Sequence, residues 1–219
     1  EGVYLGLYAF RKHLTKEAEG EIKQVTILAE ANSRTTLQQS CRRGKIMAEA
    51  TNTARDLANE PSNFMTPTDM AKAAAKLAKA YGLELTVLEG EQMKKLGMGA
   101  MLGVAQGSDE PPKFIVLTYK GKPSKEIDVA LIGKGITFDS GGISIKPSEG
   151  MGDMKGDKAG GAAVMGAIGA IAQLKPKINV LAISAVAENL PSGHALKPGD
   201  VLTAMSGKTI EIISTDAEG

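Results

Sequence analysis

The sequence predicts an α/β layered fold, and three observations carry that prediction. Short β-prone runs alternate with helical stretches, the order that builds a sheet covered by helices. Residues 178–186 are almost continuously apolar, as in a strand buried on both faces. The uncharged, Gly- and Ala-rich run 159–174 reads as a closely packed helix, and it is too short and too weakly apolar to span a bilayer.

The elements follow in order. Residues 25–28 (Val-Thr-Ile-Leu) form a β-prone run, and residues 40–59 place Ile46, Met47, Ala50, Ala54, Leu57 and Ala58 at helical spacing. Asn59-Glu60-Pro61-Ser62-Asn63 breaks that helix. Thr66-Pro67-Thr68-Asp69 then supplies an N-cap, a first-turn proline and an acid three residues after the cap, so a second helix starts there. Its expected core face is Met70, Ala74, Leu77, Ala78 and Tyr81. A strand over 83–88 and a short helical stretch near 93–96 come next. Residues 114–117 and 129–132 read as strands joined by the polar turn 120–126.

Composition narrows the function. The chain has 219 residues, 42% apolar and 23% charged, which is globular rather than disordered or collagen-like. The 26 Lys+Arg and 25 Asp+Glu leave a formal charge of +1 without a basic block, so nucleic acid and anionic membranes are not expected partners. Cys41, the single cysteine, permits no internal disulfide, and a cytoplasmic setting is expected. Cys41 itself reads as a plain helical residue, and His13 and His194 as solvated. A chain that starts at Glu1 and stops in the acidic string Thr215-Asp216-Ala217-Glu218-Gly219 is expected to be a piece at both ends.

In α/β sheets the reactive groups gather beyond the carboxyl ends of the strands, so the residues after Ile132 and Val186 matter most. Gly133-Lys134-Gly135 starts a dinucleotide fingerprint, but Phe138 stands where the third glycine belongs. Gly207-Lys208-Thr209 resembles the end of a phosphate loop, but Leu202 stands at its first glycine, and no G-x-S-x-G elbow is present. What remains is Lys134, Asp139, Lys146, Asp157, Asp216 and Glu218. Four carboxylates carry −4 and two divalent ions +4, a balance that makes a two-metal site chemically sensible; the plain alternative is a set of surface charges.

Longer strings extend this reading: Gly133-Lys134-Gly135-Ile136-Thr137-Phe138-Asp139-Ser140-Gly141-Gly142, Lys146, Met154-Lys155-Gly156-Asp157, Gly160-Gly161-Ala162, Glu188-Asn189, Pro191-Ser192-Gly193 and Thr215-Asp216-Ala217-Glu218-Gly219. Together with Arg55-Asp56-Leu57-Ala58-Asn59-Glu60-Pro61, they resemble the leucyl (cytosol) aminopeptidase family across essentially the whole chain. The resemblance implies a layered mixed sheet flanked by helices, an aminopeptidase-like catalytic domain truncated at its C-terminus. It divides the chain into the tail of an N-terminal domain (1–34), an interdomain linking helix (35–60) and the first part of the catalytic domain (61–219).

The implied activity is release of N-terminal, Leu-like residues from peptides by a two-metal-activated water. Asp139 and Glu218 would bridge two Mn²⁺ or Zn²⁺ ions, Lys134 and Asp157 would serve one of them and Asp216 the other. Lys146 would be the catalytic lysine that steadies the oxyanion, and Met154 would line the substrate pocket. Lys134 can ligate only after losing its proton, so it is expected to be protonated without metal. The family's next residue, an arginine that holds bicarbonate, lies beyond Gly219, and the family's assembly is a homo-hexamer. Lys158 stands where the family commonly has Met. The alternative reading is a catalytically silent fragment, or an assembly or regulatory domain that keeps the fold.

Overall fold

The computed structural model describes residues 1–15, 22, 24–30 and 33–219. Helices α1 (Gly2–Gly6), α2 (Arg34–Asn59) and α3 (Pro67–Tyr81) come first, followed by strand β1 (Glu84–Leu88) and helices α4 (Gly90–Lys95) and α5 (Gly99–Ala105). Strands β2 (Lys113–Lys120) and β3 (Val129–Asp139), the 3₁₀ helix Met151–Lys158, helix α6 (Ala159–Leu174) and strand β4 (Asn179–Asn189) build the centre. A hairpin of β5 (Val201–Thr203) and β6 (Thr209–Glu211) precedes the final segment.

The main sheet has the order β1-β2-β4-β3, antiparallel except for the parallel pair β3 and β4. It is the mixed sheet expected. The polar turn 120–126 does not make a hairpin, because β4 inserts between β2 and β3. A continuously apolar strand gains most from the central position, and every residue of β4 is at least half-buried.

Local chemistry sets the helix starts. Thr66 accepts from Asp69 N at 3.3 Å, while the Asp69 carboxylate receives Thr66 N–H and O–H, closing the capping box that starts α3. Met70, Ala74 and Ala78 then face Ile115, Leu117, Met165 and Ile168 in the core, where each fully buried large side chain stabilises the fold by about 1.5–3 kcal/mol. Tyr81 departs from the expected core face only in part: it remains 39% exposed while its ring lies beside Gly169 of α6. Gly166 allows α6 to approach α2, since a Cβ there would lie 2.6 Å from Ala50 O.

Residues 25–28 do not form a strand. Among the described residues no strand pairs with them, and Val25, Ile27 and Leu28 are exposed, so their β propensity finds no partner backbone. His13 is exposed, as expected, but it is not without partners. Its ring stacks on Phe64 at 4.5 Å and its Nε2 meets the buried Glu60 carboxylate, which Lys12 also approaches at 2.5 Å. Tyr8 Oη donates to Asp56 and Asn52 Nδ2 to Tyr4 O, fastening the first residues along α2.

Candidate metal centre

Lys134 and Asp139 both belong to β3, five residues apart, and strict alternation would send their side chains to opposite faces of the sheet. A bulge prevents this. The register runs Ile136 to Ala187 and then Phe138 to Glu188, so one extra residue, Thr137, is absorbed. Lys134 and Asp139 therefore pair with Ala185 and Asn189, four apart on β4, and Lys134 Nζ lies 4.0 Å from Asp139 Oδ2. Ser62 Oγ holds the bulge by donating to Thr137 O at 2.6 Å.

Beyond Asp139 the chain turns through Gly141 (φ +85°) and Gly142 (φ +67°), a left-handed pair that side chains rarely tolerate. Gly141 N donates to Asp139 Oδ1 at 2.9 Å, and Lys146 N donates to Ser140 O at 2.9 Å, which returns Lys146 to the cluster. Its Nζ stands 3.1 Å from Asp139 Oδ2 and closer still to Asp216. Asp157 arrives from the 3₁₀ helix because Gly133 lets the following turn sit on β3; a Cβ there would overlap Gly160 O. Asp157 Oδ2 is 2.9 Å from Lys134 Nζ.

The final segment is pinned from two sides. Asn189 Nδ2 donates to Asp139 Oδ1 at 2.8 Å and to Thr215 O at 2.9 Å. Thr215 Oγ1 donates to Gly141 O at 2.6 Å and accepts from Ser144 N at 2.8 Å. Asp216 and Glu218 thereby join the cluster, Glu218 against Lys134. Asn189 and Thr215 stand in the motif strings without an assigned role, and Ser144 stands in none of them. The available signal was polar residues closing an apolar strand, which need buried partners.

All five expected ligands and Lys146 thus converge, while Met154 lies half-buried on the 3₁₀ helix three residues before Asp157. The electrostatics are unbalanced, since four carboxylates against two ammonium groups leave −4 + 2 = −2. Burial raises the Asp157 carboxyl, and the neighbouring Asp139 and Glu218 charges push it further than Lys134 can offset. Burial also acts on Asp139, but the Gly141 N–H, Lys146 and Asn189 outweigh it and hold that carboxyl low. Lys146 is held well above the ordinary lysine value, first by Asp216 and then by Asp139. Burial opposes the Lys134 charge, yet Glu218 and Asp157 raise its pKa overall, as expected of an amine that is protonated without metal.

The group fits divalent cations. Asp139, Asp216 and Glu218 each offer a carboxylate oxygen within 4.8 Å of one another. Both Glu218 oxygens and Asp157 Oδ2 are buried without a geometric hydrogen bond, and their one close cation among the described residues is Lys134, which ion-pairs with Glu218 and, at 2.9 Å, with Asp157. Buried hard oxygens with lone pairs to spare and residual negative charge are suited to Mn²⁺, Mg²⁺ or Zn²⁺.

Comparison with known proteins agrees with this chemistry. Residues 52–219 match the family model "Cytosol aminopeptidase family, catalytic domain". A probable cytosol aminopeptidase of Alkaliphilus metalliredigens is 54% identical over 223 residues, covering 100% of this chain and 45% of that protein. One from Persephonella marina is 49% identical, with 100% and 44% covered, so the chain spans about half the length of these relatives. The bottromycin maturation enzyme BotP superposes with a TM-score of 0.86 at 38% identity, covering 100% of this chain and 45% of that one, and a solved form of it is complexed with Mn. The chain belongs to the cytosol aminopeptidase family.

Proposed function

We propose that the protein is a metal-dependent aminopeptidase that releases N-terminal, Leu-like residues from peptides. The observation that carries this reading is the set of buried, hydrogen-bond-free oxygens of Glu218 and Asp157 beside Asp139, Asp216 and Lys134. Asp139 and Glu218 would bridge two divalent ions, Lys134 and Asp157 would hold one and Asp216 the other. When bound, the ions supply Lewis acidity and water of lowered pKa, the chemistry that peptide hydrolysis at neutral pH requires.

The protein's own groups do the rest. Asn189 and the Gly141 N–H orient Asp139, and Thr215 fixes the segment bearing Asp216 and Glu218. Lys146 keeps its proton across the working pH range, so it offers a fixed positive charge to an oxyanion forming on the scissile carbonyl. Met154, an adaptable apolar side chain, borders the first substrate residue in this reading. Residues 35–60 join an N-terminal domain to the catalytic domain that starts at residue 61.

The test is release of leucine from Leu-containing peptides by the full-length protein loaded with Mn²⁺ or Zn²⁺, beside Asp157→Ala. Activity lost in the variant supports the proposal. Activity retained in metal-loaded Asp157→Ala, or none in the loaded parent, overturns it.

A further inference from the structure

Lys158 is the largest fully buried side chain among the described residues. Its Nζ donates to Glu60 O at 2.8 Å and to Lys155 O, and among the described residues it makes no ion pair. An ammonium enclosed without a carboxylate partner is a costly way to fill space, and a methionine would fill it without a charge. The two carbonyls it joins belong to different parts of the fold. Glu60 is the residue that ends α2, and Lys155 lies inside the 3₁₀ helix.

On its other side Glu60 is equally committed. Its carboxylate meets Lys12 and His13, so one residue gathers the N-terminal segment through its side chain and Lys158 through its backbone. Asp157 immediately precedes Lys158, and short 3₁₀ segments hold poorly by their own hydrogen bonds. A tether at the last residue of that helix therefore fixes where Asp157 stands relative to Lys134.

We propose that Lys158 is a positioning residue: by bridging the end of α2 to the 3₁₀ helix it holds Asp157 in the metal-binding cluster. This rests on the metal-centre reading above. Lys158 touches neither substrate nor ion and acts only through its neighbour.

The experiment is a calorimetric Mn²⁺ titration of the full-length protein and its Lys158→Met variant, with backbone hydrogen exchange over residues 151–158. The variant is expected to bind about tenfold more weakly, which is about 1.4 kcal/mol, and to exchange faster in that segment. Ile168→Val, a core change that lowers melting temperature, should leave both readouts unmoved. Unchanged affinity and exchange in Lys158→Met overturn the proposal. If that variant does not fold, Lys158→Gln, whose shorter arm retains one of the two carbonyls, should lose about threefold in affinity; wild-type affinity there overturns it too. Should the parent bind no Mn²⁺, the metal-centre reading fails by itself, and exchange over 151–158 still judges the tether: equal rates in parent and Lys158→Met end it.

Discussion

Two clusters of buried charge flank the 3₁₀ helix, and they are built to opposite ends. Around Glu60, the carboxylate has Lys12 and His13, the carbonyl has Lys158, and each polar atom finds a partner. Around Glu218, four carboxylates outnumber two lysines, and three buried oxygens make no hydrogen bond. A structural cluster is saturated, because an unpaired buried group costs about 1–3 kcal/mol. A cluster meant for a cation has to remain unsaturated until the cation arrives. The contrast teaches that the number of buried acids says little about function, whereas the number left without a hydrogen bond and with more negative than positive charge around them says much.

The sharpest way to break the comparison is to remove a ligand from the unsaturated cluster. Asp139→Ala should weaken Mn²⁺ binding by about a thousandfold, roughly 4 kcal/mol at 1.4 kcal/mol per tenfold, read by calorimetric titration. Affinity within threefold of the parent would show that the cluster is not a metal site. Next in size is the clamp: Asn189→Leu strips Asp139 and Thr215 O of one donor each and should cost about 3 kcal/mol in urea unfolding. Smaller again is the proton that Lys134 must surrender. Since Glu218 and Asp157 hold that amine protonated, Mn²⁺ affinity should fall about tenfold for each pH unit lowered between pH 8 and 6. A flat profile would remove Lys134 from the ligand set.

Much of this was legible in the sequence, and what was not has a physical cause. The capping box of α3, the bounds of α6 and the largely buried β4 follow from local chemistry and periodicity, which act over a few residues. The ligands were reached through their motif strings, not through spacing. Spacing would have misled, because Lys134 and Asp139 share a face only through the bulge at Thr137, and a bulge is set by Ser62 and β4 from far along the chain. The 3₁₀ helix was missed for a similar reason: Gly152 and Gly156 give weak local preference, and Lys158 anchors its end to Glu60. Residues 25–28 show the converse, β propensity for which no strand among the described residues is a neighbour.

The smallest effect tests the saturated cluster. Burial by itself would raise the Glu60 carboxyl, but hydrogen bonds from Lys12 and His13 outweigh it and hold its pKa below the ordinary value of 4.5. A carboxyl lowered in the folded state adds stability that is fully present above its unfolded value and disappears as pH falls through the folded one. Glu60→Gln keeps the shape and the carbonyl that Lys158 uses but removes the charge. It should therefore be about 1–2 kcal/mol less stable than the parent at pH 7, the usual size for hydrogen bonds to a charged group. The gap should shrink as pH falls below 4.5 and through the lowered folded value, and Mn²⁺ affinity at pH 7 should stay within twofold, because the Lys158 tie survives. A gap that persists in acid would place the stabilisation in packing around Phe64 and His13 rather than in the charge, and the two clusters would then differ in composition more than in saturation.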